Sequence, residues 1–145
     1  MPIPISLGCA VSRRTIFKGY AVNAVDAKGR VAIPSSFRQA IEKHTDARVL
    51  TIALQGDAPV LHGFGTDRSE ELMDRIDRME MSAMQAGRPF DRIKVGRELF
   101  GRSEDVPFDA SGRFILPPLL RKRAQIELGG LVFFNGLGEL FDVWN

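Results

Sequence analysis

Residues 26–42 read DAKGRVAIPSSFRQAIE, and residues 109–125 read DASGRFILPPLLRKRAQ. The two stretches agree at six of seventeen positions when one is shifted by 83 residues. The shared residues are an aspartate, an alanine, a glycine, an arginine, a proline and a second arginine, in the same order. A match of this kind is hard to obtain by chance. It predicts two copies of one supersecondary unit, related by approximate two-fold symmetry inside a single chain.

Each copy has the pattern of a turn between two short apolar runs, which is typical of a β-hairpin. Asp26 opens the first turn, and Gly29 takes the position that needs a positive φ. Asp109 and Gly112 occupy the same positions in the second turn. We expect these four residues to shape the turns, with each aspartate accepting hydrogen bonds from backbone amides of its own turn.

A short helix is predicted after each turn, because a proline ends the preceding strand and cannot continue a β-ladder. Ser35 or Ser36 is expected to cap the first helix, which should end near residue 43. Pro118 suits the first turn of the second helix, which is expected over residues 119–127.

Two more strands should follow each helix, and a longer helix should link the halves. The predicted strands cover residues 49–53, 60–64, 131–134 and 139–144. The linking helix shows apolar residues at helical spacing, begins at a possible capping box formed by Asp67 and Glu70, and should end before Gly87. A connector with some helix is expected over residues 90–100.

These elements predict an α+β fold that is mainly β. A half of about 60 residues would bury little core alone, so two halves packed together are expected in a chain of 145 residues. We expect a flexible N-terminal extension over residues 1–14. The first repeat, with its acidic linking helix, should cover residues 15–86, and the second repeat residues 87–145.

Charge is segregated along the chain although the net charge is only +2. Residues 1–50 carry eight Lys/Arg and three Asp/Glu, and residues 87–123 carry nine and five. Residues 51–86 carry three and seven. Basic charge therefore surrounds the two repeats, a pattern compatible with nucleic-acid binding or with an ordinary solvated surface. No apolar run approaches the length of a membrane span.

No catalytic or metal-binding constellation is evident, so we expect neither an enzyme nor a cofactor. Cys9 is the single cysteine, which excludes an intramolecular disulfide and suits a reducing cytoplasm. Two symmetry-related aspartates could share a proton as in acid proteases, but the arginine four residues after each should keep both ionised. His44 and His62 lack a ligand pattern and are expected to be surface or packing residues.

Arg30 and Arg113 are the most informative candidates for binding. Each could form a local salt bridge to the aspartate of its own turn, a contact that contributes only about 0–1 kcal/mol when exposed. Each could instead grip a phosphate or reach guanine O6 and N7, and a two-stranded β-ribbon has the right width for the major groove. The residues alone leave both interpretations open.

The chain resembles the MraZ family over residues 15–145, nearly its full length. The resemblance is specific because both Asp-x-x-Gly-Arg motifs, their spacing and the terminal Val-Trp pair fit together. The motifs that carry it are Phe17-Lys18-Gly19, Asp26 to Pro34, Phe37-Arg38, Leu99-Phe100-Gly101, Asp109 to Arg113, Ile115 to Pro118, Leu120-Arg121 and Val143-Trp144.

The resemblance implies two tandem AbrB-like swapped-hairpin units that form a pseudo-two-fold barrel. It implies a cytoplasmic, nucleoid-associated regulator of transcription, usually a repressor, of its own division and cell wall gene cluster. Its partners would be double-stranded promoter DNA with G-rich direct repeats and further copies of itself in a ring, without a membrane. A ring-forming scaffold that does not read DNA is the alternative.

Matched positions make Arg30 the best candidate for DNA contact, with Lys28 beside it. Arg113 matches in the second repeat, where Ser111 replaces the lysine and makes that turn less basic. Arg113 is therefore expected to contact DNA more weakly or to serve the ring interface.

Overall fold

The computed structural model describes residues 14–145, so Cys9 and all but the last residue of the predicted extension lie outside the described residues. Within that range the fold is mixed α/β, with antiparallel strands and a few helices, in agreement with the predicted class. In chain order the elements are β1 (Tyr20–Ala24), β2 (Arg30–Ala32), α1 (Ser35–Glu42), β3 (Val49–Ala53), β4 (Leu61–Gly65), α2 (Asp67–Gln85), α3 (Arg92–Phe100), β5 (Ser103–Pro107), β6 (Arg113–Ile115), α4 (Pro118–Arg123), β7 (Leu131–Gly136) and β8 (Phe141–Trp144).

Six strands form one antiparallel sheet in the order β1-β7-β8-β4-β3-β5, and β2 and β6 form a separate two-stranded ribbon. The repeat is visible in this order, because β5 and β6 lie 83 residues after β1 and β2. The halves exchange strands. Strand β1 pairs with β7 of the second half, whereas β5 of the second half pairs with β3 of the first.

Both predicted hairpins differ from the observed pairing. The turns reverse the chain, and the amide of Asp26 donates to the carbonyl of Arg30. The strands that enter and leave each turn then diverge, because β1 and β5 join the large sheet while β2 and β6 pair with each other. Asn23 still links the two arms of the first turn through its side-chain amide, which donates to the carbonyl of Ala32.

The predicted helix caps are wrong in two places. Pro34 precedes α1 and neither serine provides a side-chain cap. The predicted capping box of α2 is also absent, since Thr66 occupies the N-cap without a side-chain hydrogen bond. The carboxylate of Asp67 instead accepts from the backbone amide and hydroxyl of Thr15, at 3.1 and 3.4 Å, and so ties the start of the described chain to the helix.

Helix α4 is shorter than predicted because the chain turns out of it at Gln125. This residue has φ +59°, in the left-handed region that ends helices. The amide of Gln125 donates to the carbonyl of Lys122, and the amide of Ile126 donates to that of Arg121. These bonds satisfy carbonyl groups at the end of the helix.

Aromatic rings from both halves meet in the core. Phe37 of α1 lies 5.4 Å from Phe17 and 4.9 Å from Phe141, measured between ring centroids. Phe134 of β7 lies 6.0 Å from Phe141. Burial of one such side chain contributes about 1.5–3 kcal/mol. Each half therefore supplies a part of the core on which the other half depends.

Candidate nucleic-acid interface

The first turn is held by the side chain of Asp26. Its Oδ1 accepts from the backbone amides of Lys28 and Arg30, at 2.8 and 2.9 Å. The amide of Gly29 donates to the carbonyl of Asp26, and Gly29 has φ +84°. The turn needs a residue without a Cβ at that position and a short acceptor side chain at its start.

The second turn repeats these contacts almost atom for atom. Oδ1 of Asp109 accepts from the amides of Ser111 and Arg113, both at 2.9 Å. Gly112 has φ +83° and donates its amide to the carbonyl of Asp109. The identities found in the sequence thus correspond to one local geometry, built twice.

Each aspartate also holds the arginine of its turn. The Nε–H of Arg30 donates to Oδ2 of Asp26 at 2.9 Å, and Arg113 makes the same bond to Asp109 at 2.9 Å. Both arginine side chains are about half exposed. Within the described part of the chain, this leaves the two terminal nitrogens of each guanidinium, with four N–H groups, for an outside acceptor.

The backbone amide bonds lower the pKa of Asp26, chiefly the one donated by Arg30, and the ion pair lowers it further. The pKa of Asp109 is lowered for the same reason by the amide and guanidinium of Arg113. Both carboxylates are therefore ionised at neutral pH. Each carboxylate is paired with its own arginine, which stabilises the ionised form. This geometry opposes an acid-protease dyad, in which two carboxylates share one proton.

The β2–β6 ribbon brings the two arginines together on one exposed face. Arg30 lies opposite Ile115, and Ala32 lies opposite Arg113. The residues between them, Val31 and Phe114, face the core and are buried. Arg30 and Arg113 are thus diagonal neighbours, and such positions in an antiparallel pair have Cα atoms roughly 7–8 Å apart. The repeat predicted both residues, but the pairing of the two halves is what joins them into one site.

The two turns differ in charge and support. Lys28 is exposed beside Arg30, while Ser111 is exposed beside Arg113. Arg38 of α1 donates to the carbonyl of Ala110 at 3.2 Å and so braces the second turn from the first half. Its counterpart Arg121 donates instead to the carbonyl of Ile126, at 2.9 Å. Identical residues in the two repeats therefore have different structural roles.

Sequence reasoning missed two residues at this site, Ile115 and Arg38. Ile115 is an exposed apolar side chain beside Arg30 on the ribbon. Only the register between β2 and β6 identifies it, since local sequence gives no sign of that pairing. Arg38 was visible as one of the six identities, but its contact with the other half was not.

The remaining candidates lie away from the ribbon. His44 is exposed, and His62 on β4 is half-buried. Burial lowers the pKa of His62, while the charge of Asp142 on the adjacent strand opposes that shift. Among residues 14–145 there is no group of three or more His, Cys, Asp or Glu side chains that could hold a metal ion. No helix in the same range has the length and apolar character to cross a membrane.

Several proteins named transcriptional regulator MraZ are similar to the chain along most of its length. The one from Coxiella burnetii is 33% identical over 129 residues, which is 89% of this chain and 79% of the relative. The one from Rhodospirillum rubrum is 31% identical over 131 residues, with the same coverage of both chains. The one from Legionella pneumophila is 30% identical over 130 residues, covering 90% of this chain and 80% of the relative. No family model matches the chain.

The fold and the site define an internally repeated α/β protein that presents two arginines on a ribbon shared by its halves. The similarity to the three relatives extends through both repeats. The chain belongs to the MraZ family.

Proposed function

We propose that the chain is a DNA-binding transcriptional regulator that represses its own division and cell wall gene cluster by reading G-rich direct repeats in the promoter. The observation that carries this proposal is the exposed face of the β2–β6 ribbon, where two arginines are each held by an aspartate. A two-stranded ribbon fits the major groove of B-DNA, where guanine presents two acceptors to an arginine. The name that the relatives share, transcriptional regulator, supports the same class of function.

The arginine–aspartate pairs favour contact with base edges over contact with phosphates. A carboxylate beside each guanidinium offsets its positive charge and weakens its attraction to the DNA backbone. The same carboxylate fixes the orientation of the guanidinium, which reduces the entropy lost when its terminal nitrogens meet guanine O6 and N7. Arg30 and Arg113 are thus suited to direct readout of sequence.

Lys28 is suited to the other kind of contact. It is exposed beside Arg30, and its backbone amide, rather than its ammonium group, bonds to Asp26. A flexible ammonium group acts as a point charge toward phosphate. In this proposal Lys28 positions the first turn on the DNA backbone, and the second turn, with Ser111 in its place, contributes less affinity.

The proposal includes the architecture implied by the family. Residues 15–86 and 87–145 would be two AbrB-like swapped-hairpin units that close into a pseudo-two-fold barrel. The exchange of β1 and β5 between the halves supports this view. Several copies in a nucleoid-associated ring would let one promoter engage many ribbons at once, which raises avidity without new contacts.

Binding of the purified full chain to the DNA upstream of its own gene tests the proposal. A gel-shift titration with a scrambled fragment of equal length and composition is the control. We expect a shift with the upstream fragment at concentrations that leave the scrambled fragment free. Affinity should fall as salt rises, because phosphate contacts release counterions.

Equal affinity for both fragments, or no shift at any concentration, would contradict sequence-specific binding. An oligomer that shifts no DNA would instead support the scaffold function, in which the repeats serve only assembly.

A further inference from the structure

The exposed face of the β2–β6 ribbon carries an apolar side chain to which the contacts proposed above give no role. Ile115 is 54% exposed, although an outward position on a strand that faces water is ordinarily polar. It lies directly opposite Arg30, so both side chains project from the same face of the ribbon, with Cβ atoms roughly 4.5–5.5 Å apart. Ile115 is therefore the cross-strand neighbour of the arginine proposed to meet guanine.

The repeat supplies an internal comparison for Ile115. A shift of 83 residues relates it to Ala32, which lies opposite Arg113 in the same way. Ala32 is partly buried, and its carbonyl accepts from the side-chain amide of Asn23. The ribbon thus presents two arginine–apolar pairs, of which the one at Arg30 has the larger and more exposed apolar member. The two pairs are equivalent in backbone pairing but not in the surface that they offer.

Ile115 also lines one groove together with both arginines. The groove has a volume of about 450 Å³, and its apolar wall includes Pro107 and the buried Phe108. A ligand in this groove meets guanidinium donors and an apolar surface side by side. That combination suits the edge of a nucleobase better than a phosphate, which has no apolar group.

Thymine is the base whose edge in the major groove matches this surface. It presents the C5-methyl group, which apolar side chains contact, whereas the other three bases present donors and acceptors there. Stacked base pairs lie about 3.4 Å apart along the duplex. A side chain one cross-strand position from Arg30 therefore reaches the base pair next to the one that Arg30 contacts.

We propose that Ile115 is a specificity-determining residue, which packs on the C5-methyl group of a thymine in the base pair next to the guanine contacted by Arg30. The inference rests on the proposed function, because it requires the ribbon to lie in the major groove. It adds a thymine to the recognised sequence and assigns that base to a residue of the second half. Ala32 offers a smaller, partly buried surface beside Arg113, so the preference belongs to the Arg30 side of the ribbon.

Deoxyuridine tests this contact, because it pairs as thymidine does and lacks only the C5-methyl group. Anisotropy titrations of the full chain compare the upstream fragment with one in which deoxyuridine replaces each thymidine next to a guanine of the repeats, on both strands. The unaltered chain should bind the second fragment at least about fourfold more weakly, the factor expected for one methyl group left in water. Replacement of thymidines outside the repeats is the DNA control and should leave affinity unchanged.

Variants of the chain make the test specific to Ile115. Ile115→Ala should bind both fragments equally, about as tightly as the unaltered chain binds the deoxyuridine fragment. Ile115→Val keeps a branched apolar side chain and should retain a preference for thymidine. Leu119→Ala is the matched control, because Leu119 is a similarly exposed apolar residue on α4, outside the ribbon, and should leave the methyl effect unchanged. Light scattering should give the same mass in solution for all of these proteins.

Equal affinity of the unaltered chain for the two fragments would overturn the inference and leave the proposed function standing. An Ile115→Ala variant that keeps the full preference for thymidine would also overturn it. So would a change of mass in that variant, because it would place Ile115 in a contact between copies of the chain. Failure of the unaltered chain to bind the upstream fragment would instead overturn the proposed function, and the inference with it.

Discussion

Asp26 and Asp109 each perform two tasks with one carboxylate. Oδ1 holds the backbone of the turn, and Oδ2 holds the guanidinium of the arginine that follows. The same atoms thus connect the local fold to the proposed site. The arginines are exposed, so their ion pairs add little to the stability of the protein. Their persistence in both repeats is better explained by the orientation of Arg30 and Arg113 than by stability.

Substitutions of Lys28 and Ser111 should distinguish the two turns by their effect on the salt dependence of DNA binding. Lys28→Ala should weaken binding to all DNA sequences alike and lower the slope of log affinity against log salt by about 0.9, because one phosphate contact is lost. Ser111→Ala should leave the slope unchanged. Fluorescence anisotropy at several salt concentrations measures both. An equal loss of slope in the two variants would contradict the assignment of the phosphate contact to Lys28.

His62 should make the protein sensitive to mild acid. Burial lowers its pKa in the folded state below the ordinary value of 6.5, against the opposing charge of Asp142. The unfolded chain therefore binds this proton more readily, and stability should fall as pH drops below about 6.5. His62→Gln should reduce that dependence in melting curves recorded between pH 8 and 5. If the stability of His62→Gln varied with pH as that of the unaltered chain does, other groups would be the cause of the pH dependence.

The pairing of strands between the halves gives the equivalent elements unequal surroundings. Gly29 and Gly112 have nearly the same φ, but a Cβ on Gly112 would lie 3.1 Å from Ile33 and 3.3 Å from Arg38. A Cβ on Gly29 would meet only Leu128, at 3.8 Å. The second turn is therefore packed against the first half, whereas the first turn is comparatively free.

Alanine at these glycines should reveal that difference. The positive φ costs about 1–2 kcal/mol at either position. Gly112→Ala should cost more than Gly29→Ala because its neighbours must also move. Gly96→Ala is the control, since this glycine lies in α3 with open space around it and should gain about 0.5–1 kcal/mol. Chemical denaturation of the three variants measures their free energies of unfolding. Equal losses of stability at both turns would contradict the expected order.

Elements with strong local patterns were predictable from the sequence, and those that depend on distant partners were not. Local sequence alone predicted β3, β4 and β7 from their apolar runs and α2 from its helical periodicity. Strand β5 did not, because Ser-Glu-Asp-Val-Pro has little strand character and becomes a strand by pairing with β3. The proposed site also combines residues that local sequence predicts with a pairing that it does not predict. Arg30 and Arg113 follow from the repeat, but the ribbon that joins them depends on pairing across the halves.

Among residues 14–145, neither half contains all the strands of the large sheet. Strand β1 finds its partner in β7, and β5 finds its partner in β3. The Phe37–Phe141 contact likewise joins residues far apart in sequence. The β2–β6 ribbon likewise takes one strand from each half.

Separated halves should not fold alone as monomers. Residues 1–86 and 87–145, produced individually, should give little regular secondary structure or should associate with copies of themselves, because their edge strands lack partners. Co-expression of the two should recover a sheet with the circular dichroism spectrum of the full chain. A cooperative thermal transition in either half as a monomer would contradict this dependence.

The arginines of the β2–β6 ribbon are the groups proposed to read promoter DNA. The most direct measurement compares Arg30→Ala with Arg97→Ala by anisotropy titration against the upstream fragment and its scrambled control. Arg97 is an exposed arginine on α3, which is not part of the ribbon. We expect Arg30→Ala to keep its fold and oligomer size. Its affinity for the upstream fragment should fall about 10- to 100-fold, because one bidentate contact to a base is lost. Arg97→Ala should bind as the unaltered chain does. Unchanged affinity and unchanged discrimination in Arg30→Ala would contradict the claim.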